Sequence, residues 1–177
     1  MFFYKKLRHE VLISPEYLGP KLKQTIRRRL IDEIEGSCIN KIGYVVCVTD
    51  INDTTDIEAG LIEYETGHTS FMVTYGAVLF RPFKNEVLDA TVTTVNQLGF
   101  FCKAGPLQVF VSRYNLPGDI REGFDPNQDM WVSEDGEVEI KRGCVVRLRI
   151  MGLAMEASKI NAVGNMRDDF LGVIELP

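Results

Sequence analysis

A chain of 177 residues, 45% hydrophobic and 25% charged, has the make-up of a folded globular protein, with room for one large domain or two small ones. No run approaches the roughly 20 apolar residues of a membrane-spanning helix, and the opening Met1-Phe2-Phe3-Tyr4-Lys5-Lys6 lacks a signal peptide's order of charge before apolar stretch, so an intracellular protein is expected. The net charge of −5 excludes a protein that coats nucleic acid over its whole surface, and any RNA contact has to be local.

The charges are segregated. Residues 1–30 hold eight Lys/Arg and two acids, 31–80 nine acids against Lys41 alone, and 114–140 eight acids against Arg121 alone. The segments 81–113 and 141–177 are slightly basic. Cys38, Cys47, Cys102 and Cys144 form no C-x-x-C pair and have no histidine at ligand spacing, so reduced, mostly buried thiols are expected and no metal.

In chain order, Phe2–Arg8 reads as a short strand, and Ser14-Pro15-Glu16 as a capped helical turn. Leu22, Ile26, Leu30 and Ile34 recur every four residues, with Ile31 widening the stripe, which predicts an amphipathic helix ending at Gly36. Its basic residues Lys21, Lys23, Arg27, Arg28 and Arg29 lie at the N-terminal end and its acids Asp32, Glu33 and Glu35 at the other, against the helix dipole. Those charges serve either a partner surface or simply a solvated face. Gly43–Thr49 reads as a buried strand, Ile57–Glu63 as a short one and Ser70–Phe80 as the longest, with Phe71, Val73 and Tyr75 on one face. These elements make an α+β domain over residues 1–80.

Arg81-Pro82-Phe83-Lys84 marks a boundary, because proline interrupts pairing and the pattern beyond it is purely β. Strands are expected at 86–95, 99–103, 108–112, 144–152 and 159–164, with a loop-rich acidic insertion from Leu116 to Gly143. Five short strands suit an OB-fold barrel over residues 81–177.

Side chains alternate across a strand, so Phe110 falls in a row with Gln108 and Ser112 opposite Val109 and Val111, and Phe101 falls with Gly99 and Lys103 opposite Phe100 and Cys102. Two outward aromatics beside Lys103 and the nearby Arg113 would form a stacking platform for single-stranded RNA. The competing reading puts these rings in the core. Arg147 and Arg149 alternate with Val146, Leu148 and Ile150 on an outer face, where they either extend that platform or only solubilise the strand.

Nothing in the sequence indicates catalysis. His9 and His68 accompany no nucleophile motif, and no phosphate-binding loop, dinucleotide fingerprint or G-x-S-x-G elbow is present. Asp50, Asp53, Asp56 and Glu58 lack the glycine and terminal glutamate of a calcium loop and read as a solvated acidic turn.

Several stretches together resemble the family of the seventh, stalk subunit of eukaryotic RNA polymerase II and its archaeal counterpart. They are Met1-Phe2-Phe3, Tyr17-Leu18-Gly19-Pro20, Glu35-Gly36-Ser37-Cys38, Val78–Lys84, Val95–Phe101, Gly105–Ser112 and Asp168–Ile174. The resemblance implies a ribonucleoprotein-like N-terminal domain, called the tip, followed by an S1-type OB barrel. It further implies a non-catalytic nuclear subunit without cofactor that heterodimerises with the fourth polymerase subunit, docks on the polymerase core, supports initiation and binds emerging RNA. By motif position, Gly36, Ser37, Cys38 and Gly60 would contact the core, and Phe170, Leu171 and Gly172 the fourth subunit. Lys41-Ile42, Asn85 and Arg27-Arg28-Arg29 depart from the family pattern. A freestanding single-stranded RNA-binding module is the alternative function.

Overall fold

Phe2 to Ile13 form one continuous strand, β1, in a computed structural model that describes residues 1–39, 42–51, 56–126, 128–156 and 158–175. Lys41 and Asp53 therefore lie outside the described residues. The strand runs five residues beyond the expected Arg8. Leu7, Val11 and Ile13 continue an inward apolar row, while Arg8 and Glu10 belong to the outer row, where Arg8 pairs with Glu58 and Glu10 accepts from Ser70.

The four-residue apolar repeat forms helix α1 (Leu22–Ile34), which buries Ile26, Leu30 and Ile34. It is followed by β2 (Cys38–Ile39), β3 (Gly43–Val48), β4 (Leu61–Ile62) and β5 (Thr69–Phe80). The sheet order is β1-β5-β3-β2 with β4 also on β5, and every pairing is antiparallel. The expected strand at 57–63 is reduced to the two residues of β4 and an isolated bridge from Ile57 to Val73. The helix stripe packs on Val11, Ile13, Val45, Phe71, Val73, Tyr75, Ala77 and Leu79 to form one core. On β5, a Cβ at Gly76 would come within 2.4 Å of the Tyr4 hydroxyl, so only glycine lets that ring lie across the strand and donate to Asp50 Oδ2 at 2.9 Å.

The chain divides into two compact units, Met1–Arg81 and Pro82–Pro177. In the second, β6 (Val87–Asn96), β7 (Gly99–Ala104) and β8 (Leu107–Ser112) form a meander. After it come β9 (Phe124–Asp125), β10 (Met130–Val132) and β11 (Glu139–Ile140). Last are β12 (Val145–Met155), β13 (Ile160–Asn165) and β14 (Gly172–Glu175). Pairing runs β13-β8-β7-β6-β12, and β12 also pairs with β13, so five strands close into a barrel with β14 appended to β12. The one parallel contact among the described strands is β8 with β13. Phe100, Cys102, Val109, Val111, Val146, Leu148 and Ile150 are wholly buried inside.

Two expectations change here. The insertion is not merely loop: β9, β10 and β11 make a small sheet, anchored by the buried Leu116, Ile120, Trp131 and Ile140. Strands of two or three residues among Asp, Gly and Pro carry no readable alternation, so cross-strand partners such as Trp131 and Ile140 reveal themselves only in the fold. The chain also continues past Gly164 into β14, a strand that no alternation in the sequence announces.

Candidate nucleic-acid interface

Phe101 and Phe110 are directly opposed across β7 and β8, with ring centroids 4.8 Å apart and planes inclined at 43°. Both are half-buried, whereas their sequence neighbours Phe100, Cys102, Val109 and Val111 are fully enclosed, so the alternation points the pair outward. Gly99 permits this register. Its φ is +146°, and a Cβ there would come within 2.0 Å of the Val111 carbonyl oxygen, so the chain can enter β7 this close to β8 only at a glycine.

The rings border an open depression of about 460 Å³, lined by Phe101, Gln108, Phe110, Asn161 and Ala162. Across the parallel pairing, Val163 lies opposite Phe110 and Asn161 opposite Gln108. Lys103, the antiparallel partner of Gln108, is exposed beside them. Two aromatic faces, two amides able to donate and accept, and one cation can stack a base, bond its edge and neutralise a phosphate. Asn161 and Val163 are functional candidates that sequence alone does not single out. Alternation within β13 sets them opposite the buried Ile160 and Ala162, but only the β8–β13 register brings them to the ring pair.

The expected cations separate. Arg147 makes a bidentate pair with Asp89 on β6, Nε to Oδ1 at 2.7 Å and a terminal nitrogen to Oδ2 at 2.9 Å, which holds the Asp89 carboxyl below its ordinary range. Its strand partners are Asp89 on β6, at the edge of β12 away from β13, and Gly172 on β14. Arg149 pairs with Asp168 at 2.9 Å, and its strand partner Asn165 donates to the same carboxylate at 3.1 Å. Both arginines are thus already neutralised. Arg113 leaves β8 in a short 3-10 turn, stacks its guanidinium 5.2 Å from the Tyr114 ring centroid, and lines a different pocket with Arg121 and Trp131.

Among the expected core-contact residues, Gly36 turns the chain at φ +76° and donates to the Val45 carbonyl at 2.9 Å. Ser37 Oγ donates to the Ile34 carbonyl at 2.6 Å. Cys38 opposes Tyr44 on β3, and partial burial raises its thiol pKa. Gly60 lies elsewhere. Tyr44 pairs with Phe80 and Leu61 with Ser70, so Gly36–Cys38 and Gly60 belong to opposite ends of β5, roughly 33 Å apart along the strand. At Gly60 the Thr69 methyl and the Phe71 ring approach a built Cβ to 2.6 Å, so a side chain would not fit. Phe170 is 95% exposed at φ +65°, Leu171 is half-buried, and Gly172 opens β14.

Residues 8–67 match the SHS2 domain found in N terminus of Rpb7p/Rpc25p/MJ0397, and residues 81–162 match the S1 RNA binding domain. DNA-directed RNA polymerase II subunit 7 of Arabidopsis thaliana is 44% identical over 100% of this chain and 98% of its own length. The rpb7 subunit of Schizosaccharomyces pombe is 42% identical over 98% of this chain and 99% of its own length. The Rpo7 subunit of the archaeon Sulfolobus acidocaldarius is more distant, 26% identical over 99% of this chain and 94% of its own length. Identity at the level of the two eukaryotic relatives, sustained through both units, establishes that the chain belongs to the family of RNA polymerase II subunit 7.

Proposed function

We propose that the chain is a non-catalytic stalk subunit of DNA-directed RNA polymerase II that heterodimerises with the fourth subunit, docks on the polymerase core, supports initiation and binds emerging single-stranded RNA in the nucleus. The observation that carries this reading is its near full-length similarity to named subunit-7 proteins, with the S1 match falling on the unit that bears the outward ring pair. Residues 1–80 are the tip and 81–177 the RNA-binding domain. Phe101 and Phe110 stack bases, Lys103 engages phosphate, and Gln108 and Asn161 bond base edges. Arg147 and Arg149, each beside a carboxylate, fix the strands around β12 and add only weakly to the field felt by RNA.

The Gly36-Ser37-Cys38 loop and the turn at Gly60 supply separate contacts to the polymerase core. The exposed Phe170, followed by Leu171 and Gly172, supplies a contact to the fourth subunit. Leu61, Ile62 and Tyr64 are more than 70% exposed in one short stretch, which fits a surface covered in an assembly.

Co-expression with the fourth polymerase II subunit tests the reading. A complex that elutes as a one-to-one species and melts higher than the isolated chain is expected, because a partner that binds only the folded state stabilises it. Failure to associate, with RNA affinity intact, would favour the freestanding RNA-binding module.

A further inference from the structure

A second pocket, of about 480 Å³, lies between the acidic insertion and the turns that follow β6 and β8, and Gln97, Arg113, Arg121, Glu122, Phe124 and Trp131 line it. Its size falls within the roughly 300–1,000 Å³ of small-ligand sites. The frame is well anchored. Leu116, Ile120 and Trp131 are at most 4% exposed, Asn115 Nδ2 donates to the Gly164 carbonyl at 3.2 Å, and the Val132 amide donates to the Gly123 carbonyl at 2.8 Å. Phe124 and Trp131 oppose each other on β9 and β10, with centroids 5.1 Å apart.

The chemistry of the pocket is unfinished. Among the described residues, four buried side-chain polar atoms have no hydrogen-bond partner, and three of them, Arg113 Nε, Arg121 Nε and Trp131 Nε1, belong to residues lining this pocket. All three are donors, so what they lack is an acceptor. Arg8, Arg29, Lys141, Arg147 and Arg149 each have a carboxylate partner. Neither Arg113 nor Arg121 has one among the described residues, although residues 114–140 hold eight acids. Two guanidiniums with unused donors on one pocket offer an anion hydrogen bonds that the protein itself leaves unmade.

We propose that this pocket binds the phosphate of a nucleotide unit between Arg113 and Arg121, with the base against the exposed part of Phe124. The guanidiniums match phosphate oxygens, and the aromatic edge offers a stacking surface. Glu122 and Gln97 share the rim, and a carboxylate there repels a bare phosphate while accepting hydrogen bonds from ribose hydroxyls or a base edge. The pocket therefore prefers a nucleotide to inorganic phosphate. The unit is either free or one residue of an RNA strand. This site is additional to the ring pair and does not rest on it.

Trp131 is the only tryptophan of the chain, so its emission reports on the site directly. Titration of the full-length protein with adenosine monophosphate should give a saturable change in emission. Arg113→Gln or Arg121→Gln should weaken it at least tenfold without lowering the melting temperature, and Phe101→Ala should leave it intact. Glu122→Gln, on the pocket rim, should tighten inorganic phosphate severalfold, which keeps the proposal testable if an arginine variant folds poorly. An oligoadenylate that competes at lower concentration than the mononucleotide would identify a strand as the source, and the reverse order a free nucleotide. No saturable change with any of these probes, or one that survives Arg121→Gln, would overturn the proposal. Neither result bears on RNA binding at Phe101 and Phe110, which is read separately by the variants of those rings.

Discussion

Replacing Phe100 and Phe101 one at a time with alanine sets neighbouring rings on opposite faces of β7 against each other. Phe100 is wholly enclosed in the barrel, and its truncation should cost about 3–5 kcal/mol, as for other buried aromatic rings. Phe101 is half-buried and touches Phe110, so its loss removes roughly half that burial together with a ring contact of about 0.5–1.5 kcal/mol, for a total of about 2–4 kcal/mol, below the loss at Phe100. The binding effects run the other way. One stacked base is worth about 1–3 kcal/mol, so Phe101→Ala should weaken single-stranded RNA roughly 5- to 150-fold. Phe100→Ala should leave affinity nearly unchanged at temperatures where the variant is folded. Urea melts and anisotropy titrations of a short labelled RNA on the same samples read both quantities. Equal destabilisation by the two substitutions would put Phe101 in the core. Full RNA affinity in a Phe101→Ala, Phe110→Ala double variant would refute the stacking platform altogether.

Lys103→Ala should weaken RNA binding and reduce the slope of log affinity against log salt by about one, whereas Arg147→Ala, whose charge is already held by Asp89, should change affinity less than about twofold in the same titrations. The Arg147 hydrogen bonds lower the folded-state pKa of Asp89, so the pair's contribution is present above the ordinary carboxylate value near 3.9 and is lost as pH falls through the lower folded one. Acid melts of the native protein and Asp89→Asn should therefore differ at neutral pH and converge in strong acid. Burial pushes the Cys102 thiol up to about 12, so at pH 8 iodoacetamide should modify it only on unfolding, as peptide mass spectrometry would show. The same shift makes stability fall once pH rises past the unfolded thiol value near 8.5, because the unfolded chain then releases a proton that the native one keeps. Gly99→Ala should give insoluble protein or a loss of several kcal/mol, since both its φ and the Val111 carbonyl forbid a side chain; a soluble variant of native stability in calorimetry would contradict the close approach.

Where one face of an element meets a core, sequence periodicity announced it. Leu22, Ile26, Leu30 and Ile34 mark α1, and alternation in β7 and β8 separates Phe100 and Val109 from Phe101 and Phe110, a separation that the burial in the fold matches. Pairings between distant strands left no such trace. The β8–β13 contact brings Asn161 and Val163 to the ring pair, and nothing local to residues 160–165 specifies that partner. Charge proved the weakest guide. Arg147 and Arg149 look like free cations in the sequence, yet Asp89, 58 positions from Arg147, and Asp168 neutralise them in the fold. Arg121 is one cation among eight acids in residues 114–140, yet its buried Nε has no hydrogen-bond partner among the described residues. Likewise motif position names Gly36–Cys38 and Gly60 together as core contacts, and only the register along β5 shows that they lie at its opposite ends.

Affinity capture of the tagged chain from its own cells at moderate salt, with mass spectrometry of the co-purifying proteins, tests the central claim most directly. A polymerase stalk subunit should recover one small partner in near-equal amount together with the large subunits of RNA polymerase II. Recovery of RNA without polymerase subunits, or of the chain alone, would contradict it.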